Sequence, residues 1–281
     1  MEKFLTDVHN HSTFSADGVS ELSDMLQTAQ EKGVAFYGVS EHFNGDLCLE
    51  ARRKEEDIDA EAYFHAARHL QEDYAGVMNV LVGAELGYTE EESVQAYYCA
   101  VCEKYRPDFI VNSIHSFKGW DYYKQKQFFI KDERGNAVLR DQREAYEEYF
   151  ALLEKSLDTP YPYDIVGHLG YVSRYYPRDN KEIRYADYAQ TLDRILKKII
   201  EKGKILEANS AVYDLKQTAI PGEDVFRRYF ELGGRKVSYA SDAHQTTSIL
   251  RGRKEIVKML KGIGFTYITV PCQGEHIKVE I

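Results

Sequence analysis

The chain has 281 residues, with 46 acidic and 36 basic side chains and a formal charge of −10. An apolar fraction of 43% with 13% aromatics suffices for a packed core and excludes wholesale disorder. A pI near 5.5 excludes the concentrated basic surface that a bare nucleic-acid backbone or an anionic membrane would require.

From end to end, short β-rich runs alternate with amphipathic stretches. The runs predict strands over 3–8, 34–40, 77–84, 108–114, 163–167, 204–208, 236–240 and 265–270. Helical periodicity falls at about 20–32, 57–75, 90–104, 141–156, 185–202, 222–232 and 249–262. Ser20 is placed to cap the first helix and Gly33 to end it. Such alternation implies βαβ units and a parallel sheet. Seven or eight units in a chain near the usual barrel size of about 250 residues predict a TIM-like α/β barrel, one domain over 1–281. Two connections are unusually long, 117–139 (FKGWDYYKQKQFFIKDERGNAVL) and 170–184 (GYVSRYYPRDNKEIR), as binding loops and lids tend to be. The aromatics of the first, Trp120, Tyr122, Tyr123, Phe128 and Phe129, suit either a pocket cap or the core of an inserted lobe. Residues 266–281 read as a small hairpin around Cys272-Gln273-Gly274-Glu275.

The opening MEKFLTDVHNH turns polar before a signal-peptide core could form, and no apolar run nears the roughly 20 residues of a spanning helix. The cysteines are Cys48, Cys99, Cys102 and Cys272. Cys99 and Cys102 form a CxxC inside a helical pattern with no second CxxC, so they are expected to be unpaired helix residues in a reducing cytoplasm.

The histidines carry the chemistry. His9 and His11 follow the first strand two apart, so both can face one ion. His42 follows the second strand, Glu85 the third, His115 the fourth and His168 the fifth, while Asp242 and His244 follow the seventh. In a parallel barrel these C-terminal strand ends meet on one face, where barrel active sites lie. A solitary histidine after a strand is an ordinary hydrogen-bonded loop residue. Six at successive strand ends, with two carboxylates, are a metal site. By contrast, His65 and His69 sit mid-helix without an HExxH glutamate, and His276 lies in the terminal hairpin, so these three read as surface or packing residues. Imidazole and carboxylate without thiolate select Zn, Mn or Fe, and so generous a ligand set implies more than one ion. Such sites favour in-line displacement at phosphorus by a bridging hydroxide, with a carboxylate such as Glu85 bridging the ions.

On its HNH, VSEH, VGAELGY, IHS, IVGHLGY and SDAH segments, in that order from residue 9 to 244, the sequence resembles the PHP (polymerase and histidinol phosphatase) family. The resemblance implies a distorted (β/α)7 barrel with three divalent metals. It implies that His9, His11, Glu85 and Asp242 hold the first metal, and that Glu85 bridges to a second held by His115 and His168. Asp17, His42 and His244 would hold the third. From the residues alone, Asp17 reads only as part of a Ser-Ala-Asp-Gly turn.

Within the family the sequence is most similar to the histidinol phosphate phosphatase branch, on His168 followed by Arg174, the segment Glu207-Ala208-Asn209-Ser210, and Glu231-Leu232-Gly233-Gly234-Arg235 before SDAH. That branch commonly continues with a phosphate-gripping arginine where this chain reads Ala211-Val212-Tyr213-Asp214, and Lys216 is the nearest cation. The expected activity is hydrolysis of a small phosphomonoester, L-histidinol phosphate first. Glu85, Asp242 and Arg174 are its candidate catalytic residues. Arg174, Lys216, Asn209, Lys118 and Arg184 are the candidates for gripping substrate. Alternatives are a PHP-type nucleotide phosphoesterase or protein-tyrosine phosphatase, an amidohydrolase-type deaminase, and a non-catalytic metal-binding module. The deaminase class commonly bridges its metals with a modified lysine, and none stands at the third to fifth strand ends.

Overall fold

In the computed structural model, which describes residues 4–45 and 58–281, seven parallel strands form the barrel. They are β1 (Leu5–Asp7), β2 (Val34–Val39), β3 (Asn79–Gly87), β4 (Phe109–Ser113), β5 (Ile165–Val166), β6 (Ile205–Asn209) and β7 (Val237–Ala240), hydrogen-bonded in sequence order. Closure between first and last is made above the strands. His11 N–H donates to Ala243 O at 2.8 Å and Asp242 N–H to His9 O at 3.0 Å. The buried Asp7 carboxylate reinforces this seam by accepting the N–H groups of Ser241 and Leu250. The fold is the expected TIM-like α/β barrel.

Helices α1 (Leu22–Glu31), α2 (Ala60–Asp73), α3 (Glu92–Tyr105), α4 (Gln142–Ser156), α5 (Ala189–Glu201), α6 (Glu223–Glu231) and α7 (Arg253–Ile263) surround the strands. In α5, Leu192, Ile195, Leu196 and Ile199 are buried, the one-sided spacing that packs a helix against a sheet. No helix among the described residues is long and apolar enough to cross a membrane. Cys99 and Cys102 are unpaired on α3, as is Cys272; Cys48 lies outside the described residues.

Several boundaries depart from expectation. Glu85 lies within β3 rather than after it, because its N–H bonds to Glu41 O and the strand continues in register with β4. The seventh helix starts at Arg253, after Leu250 and Gly252 adopt left-handed backbone at φ 64° and 61°. Gly33 ends α1 at φ 75°, but Ser20 does not cap it; its hydroxyl accepts the N–H of Thr246 instead. The predicted eighth strand is no barrel strand. Residues Tyr267–Cys272 (β8) pair antiparallel with Glu275–Glu280 (β9) in a separate hairpin.

That hairpin plugs the N-terminal end of the barrel. Val270 and Val279 pack with Val8, Leu81, Phe109, Val111, Ile165 and Ile205, and the hairpin tip is tied on by Gln273 N–H to Asp108 O at 2.7 Å. The Phe109 ring fills the interior, and room for it comes from two glycines. A Cβ at Gly38 would stand 2.8 Å from the ring and one at Gly83 2.4 Å. The long connection 117–139 is no bare loop. Phe129–Lys131 pairs with Ala137–Leu139, and Tyr122 and Phe128 are buried against Tyr149 and Tyr176, the core of a small lobe. Trp120, Tyr123 and Phe129 stay exposed.

Candidate metal centre

At the other end of the barrel the predicted ligands converge around Glu85, which is fully buried. Its two oxygens face different groups. Oε1 lies 2.9 Å from His168 Nε2 and 3.2 Å from His115 Nε2, and accepts the Ser113 hydroxyl at 2.6 Å. Oε2 lies 3.3 Å from His9 Nε2, 3.5 Å from His11 Nε2 and 2.7 Å from His42 Nδ1. Asp242 completes the second group, with Oδ1 3.3 Å from His11 Nε2. A third group opens toward solvent, where Asp17 lies 3.6 Å from His42 Nε2 and 3.4 Å from His244 Nε2. Asp17 is the exposed member, its side chain 59% accessible.

Backbone conformation helps to aim these side chains. Asp242 sits at φ 52°, a left-handed conformation that aspartate tolerates better than most residues and that here is held by the bond to His9 O. Outer partners orient the rings. His9 Nδ1 meets Glu207 Oε1 at 2.6 Å, His115 Nδ1 meets Asn44 Oδ1 at 2.9 Å and His244 Nδ1 meets the Asp242 carbonyl at 3.0 Å. Each contact fixes Nδ1 as the protonated nitrogen and turns Nε2 toward the cluster.

Facing nitrogens are the clearest sign of what the cluster is for. His9 and His11 bring their Nε2 atoms to 3.1 Å, His115 and His168 to 3.3 Å, and His42 and His244 to 3.3 Å. Two nitrogens bound at 2.0–2.1 Å to one tetrahedral ion stand about 3.3 Å apart. Glu85 Oε2, fully buried and crowded by three imidazoles, makes no hydrogen bond of ordinary geometry. Spacing, donor chemistry and this orphaned oxygen all fit divalent cations.

The electrostatics agree. Burial opposes charge on Glu85, but His115, His9 and His42 outweigh it and hold the carboxyl well below its usual range. Asp242 is held down in the same way, His11 foremost. Burial pushes the imidazoles of His11 and His168 down, so these stay neutral. Against burial, His9 is lifted by Glu207 and Glu85, and His42 is lifted to about 10 by Asp17 and Glu85. Without metal, protons thus neutralise carboxylates where cations would; binding must expel them.

Of the predicted substrate-gripping residues, Arg174 and Asn209 reach the predicted ligands; Arg174 does so with Nη1 3.5 Å from Asp242 Oδ2 and its guanidinium stacked 5.0 Å from the Tyr171 ring. Lys216 stands near the rim, 3.7 Å from Glu182, lining a cavity of about 50 Å³ with Gly170 and Ser173. Asn209 is buried, and its amide is spent on Glu207 and Asp242. Lys118 is exposed, its ammonium 4.9 Å from the Phe117 ring. Arg184 points to solvent and pairs with Asp187 at 2.7 Å. His65 is exposed, His69 pairs with Asp73 and His276 lies 4.0 Å from Asp164, all outside the cluster.

Two buried carboxylates were given no role in the sequence reading, although both lie in motifs that carry the resemblance. Glu207 holds His9, and Glu41 accepts the hydroxyls of Ser12 and Ser15 in the turn that carries Asp17. Glu207 had a signal. In ILEAN, residues 205, 207 and 209 share the inward face of a buried strand, where a glutamate needs a partner.

Comparison with known proteins agrees with this architecture. A protein of Clostridium acetobutylicum named "Probable histidinol-phosphatase" is 26% identical over 253 residues, 90% of this chain and 91% of that protein. One of the same name from Thermotoga maritima is 27% identical over 274 residues, 95% of each. The crystal structure of histidinol phosphate phosphatase from Lactococcus lactis, complexed with Zn, L-histidinol and phosphate, superposes with a TM-score of 0.81 at 23% identity, covering 98% of this chain and 99% of that one. The PHP domain matches residues 7–211, most of the chain and all but two of the clustered residues, Asp242 and His244. The chain belongs to the PHP domain family.

Proposed function

We propose that the protein is a metal-dependent phosphomonoesterase that hydrolyses L-histidinol phosphate to L-histidinol and phosphate. The observation that carries the reading is Glu85, whose two oxygens face separate nitrogen groups and so suit adjacent ions, with Arg174 at the edge. Three divalent ions, Zn, Mn or Fe, would divide the ligands. His9, His11, Glu85 and Asp242 would hold one, Glu85, His115 and His168 a second, and Asp17, His42 and His244 the third. The names of the relatives and the ligands of the Lactococcus structure support the substrate.

Bound together, such ions supply an activated water for attack on phosphorus and positive charge for the leaving oxygen. The chain's own residues do the rest. Arg174, held by Asp242 and stacked on Tyr171, presents a guanidinium whose fork suits phosphate oxygens, and Lys216 adds a point charge at the rim. The Tyr171 ring, 5.1 Å from His115 and 4.8 Å from His168, walls the cluster from bulk water. An acidic chain thereby offers a positive hole to an anion, because bound cations invert the local charge.

The test is phosphate release by full-length protein reconstituted with Zn, Mn or Fe. Turnover of histidinol phosphate at least tenfold above nucleotides and phosphotyrosine is expected. Faster turnover of those others would move the substrate, and no phosphate from any monoester would end the reading.

A further inference from the structure

Six of the seven barrel strands lead into candidate metal ligands at their C-terminal ends, among the described residues. β6 does not. Its inward end carries Glu207 and Asn209 instead, both with no exposed surface. Glu207 Oε1 contacts His9 Nδ1 at 2.6 Å, while Oε2 accepts the His168 backbone N–H at 2.7 Å and an Asn209 amide hydrogen at 3.1 Å. The Asn209 amide also donates to Asp242 Oδ2 at 3.2 Å, and its Oδ1 accepts the Ala211 N–H at 2.9 Å. The strand end is itself anchored by paired backbone bonds to Ile220, at 3.0 and 2.8 Å.

We propose that Glu207 and Asn209 form a positioning clamp that sets three metal ligands from three other strands, His9, His168 and Asp242. The clamp settles which atoms coordinate. With His9 Nδ1–H given to Glu207, its lone pair is on Nε2, facing Glu85 Oε2 and His11. With Asp242 Oδ2 taken by Asn209 and Arg174, Oδ1 is the oxygen left for His11's group. Glu207 is suited to this as a pure acceptor whose two oxygens meet three donors. Glutamine offers one acceptor oxygen, so in either orientation its NH₂ would oppose an N–H donor. Loss of the clamp would free the His9 ring to present either nitrogen and Asp242 to rotate.

The inference rests on the cluster being a metal centre, and cobalt separates the two. Full-length protein is stripped with a chelator and titrated with Co²⁺ against a chromophoric competitor, with visible absorption reporting coordination geometry. The wild-type chain should bind with distinct visible bands. E207Q should bind about 10- to 100-fold more weakly, as expected for loss of an outer-shell partner, with shifted bands. Its far-UV circular dichroism should match wild type, while metal-free melting should fall by a few degrees because a buried donor loses its acceptor. N209A, which leaves Glu207 in place, should lose about fivefold, with a smaller spectral change. If E207Q fails to fold, N209A decides. Wild-type affinity and bands in the folded variant overturn the clamp while leaving the metal centre intact. A wild-type chain that takes up no cobalt overturns both.

Discussion

The two ends of the barrel interior are built from the same strands and behave as opposites. Along β3 the inward positions run Leu81, Gly83, Glu85; along β4, Phe109, Val111, Ser113; along β6, Ile205, Glu207, Asn209. The lower end is a dry apolar plug closed by Val270 and Val279, stabilised by burial that needs no partner of defined geometry. The upper end buries carboxylates and imidazoles, which are costly there unless each finds a counter-charge. Folding stability should therefore come from the plug and chemistry from the cluster. A barrel can afford strained, charge-dense chemistry at one end because the other end is ordinary core.

Mutations at the two ends should separate these roles. The largest effect is expected for Glu85→Gln, which removes the charge between both groups. Several kcal/mol of lost charge stabilisation lowers kcat for phosphomonoester hydrolysis on the order of 10³-fold, while far-UV circular dichroism shows the metal-free chain still folded. Phe109→Ala should do the reverse. A cavity costing about 3–5 kcal/mol lowers Tm by roughly 10 °C, while cobalt affinity of the folded protein stays at the wild-type value. Were Phe109→Ala to abolish metal uptake in still-folded protein, the two ends would be coupled and the division wrong.

Smaller effects sharpen the picture at the metal end. Arg174→Ala should reduce kcat/KM roughly 10- to 100-fold through loss of a charge-assisted contact, measured by steady-state kinetics with histidinol phosphate. Metal affinity should weaken as pH falls. In the metal-free chain His42 holds its proton up to about 10 against an ordinary 6.5, so an ion at its Nε2 must expel that proton. Calorimetric titration should show up to about tenfold weaker binding per pH unit for each proton displaced. The sign for metal-free folding is opposite. A raised histidine adds stability that is full below 6.5 and lost as pH rises through about 10. Arg184→Ala should change kcat/KM less than about twofold, since its guanidinium faces solvent and Asp187.

The histidines at strand ends were legible because barrel topology converts a spacing in sequence into convergence in space. His9, His42, His115 and His168 needed only the alternation of strands and helices. Substrate contacts were less legible. Lys118, Arg184 and Asn209 occur in plausible places, yet side-chain direction sends the first two outward and spends the third on its neighbours. Glu41 and Glu207 lay in quoted motifs but got no role, because a motif does not record which side chain a buried carboxylate meets.

By itself the sequence determined the strand–helix alternation, the parallel barrel and every residue of the cluster but Asp17, since these follow from periodicity and from order along the chain; the family and Asp17 came from the resemblance of its motifs. Only the tertiary structure decided that Glu85 faces two groups with two oxygens, that the terminal hairpin plugs the barrel, and that β6 brings Glu207 and Asn209 against His9, His168 and Asp242. Those facts depend on contacts between residues far apart along the chain, 198 positions for His9 and Glu207. Local propensity is blind to such distances; packing and charge pairing are not.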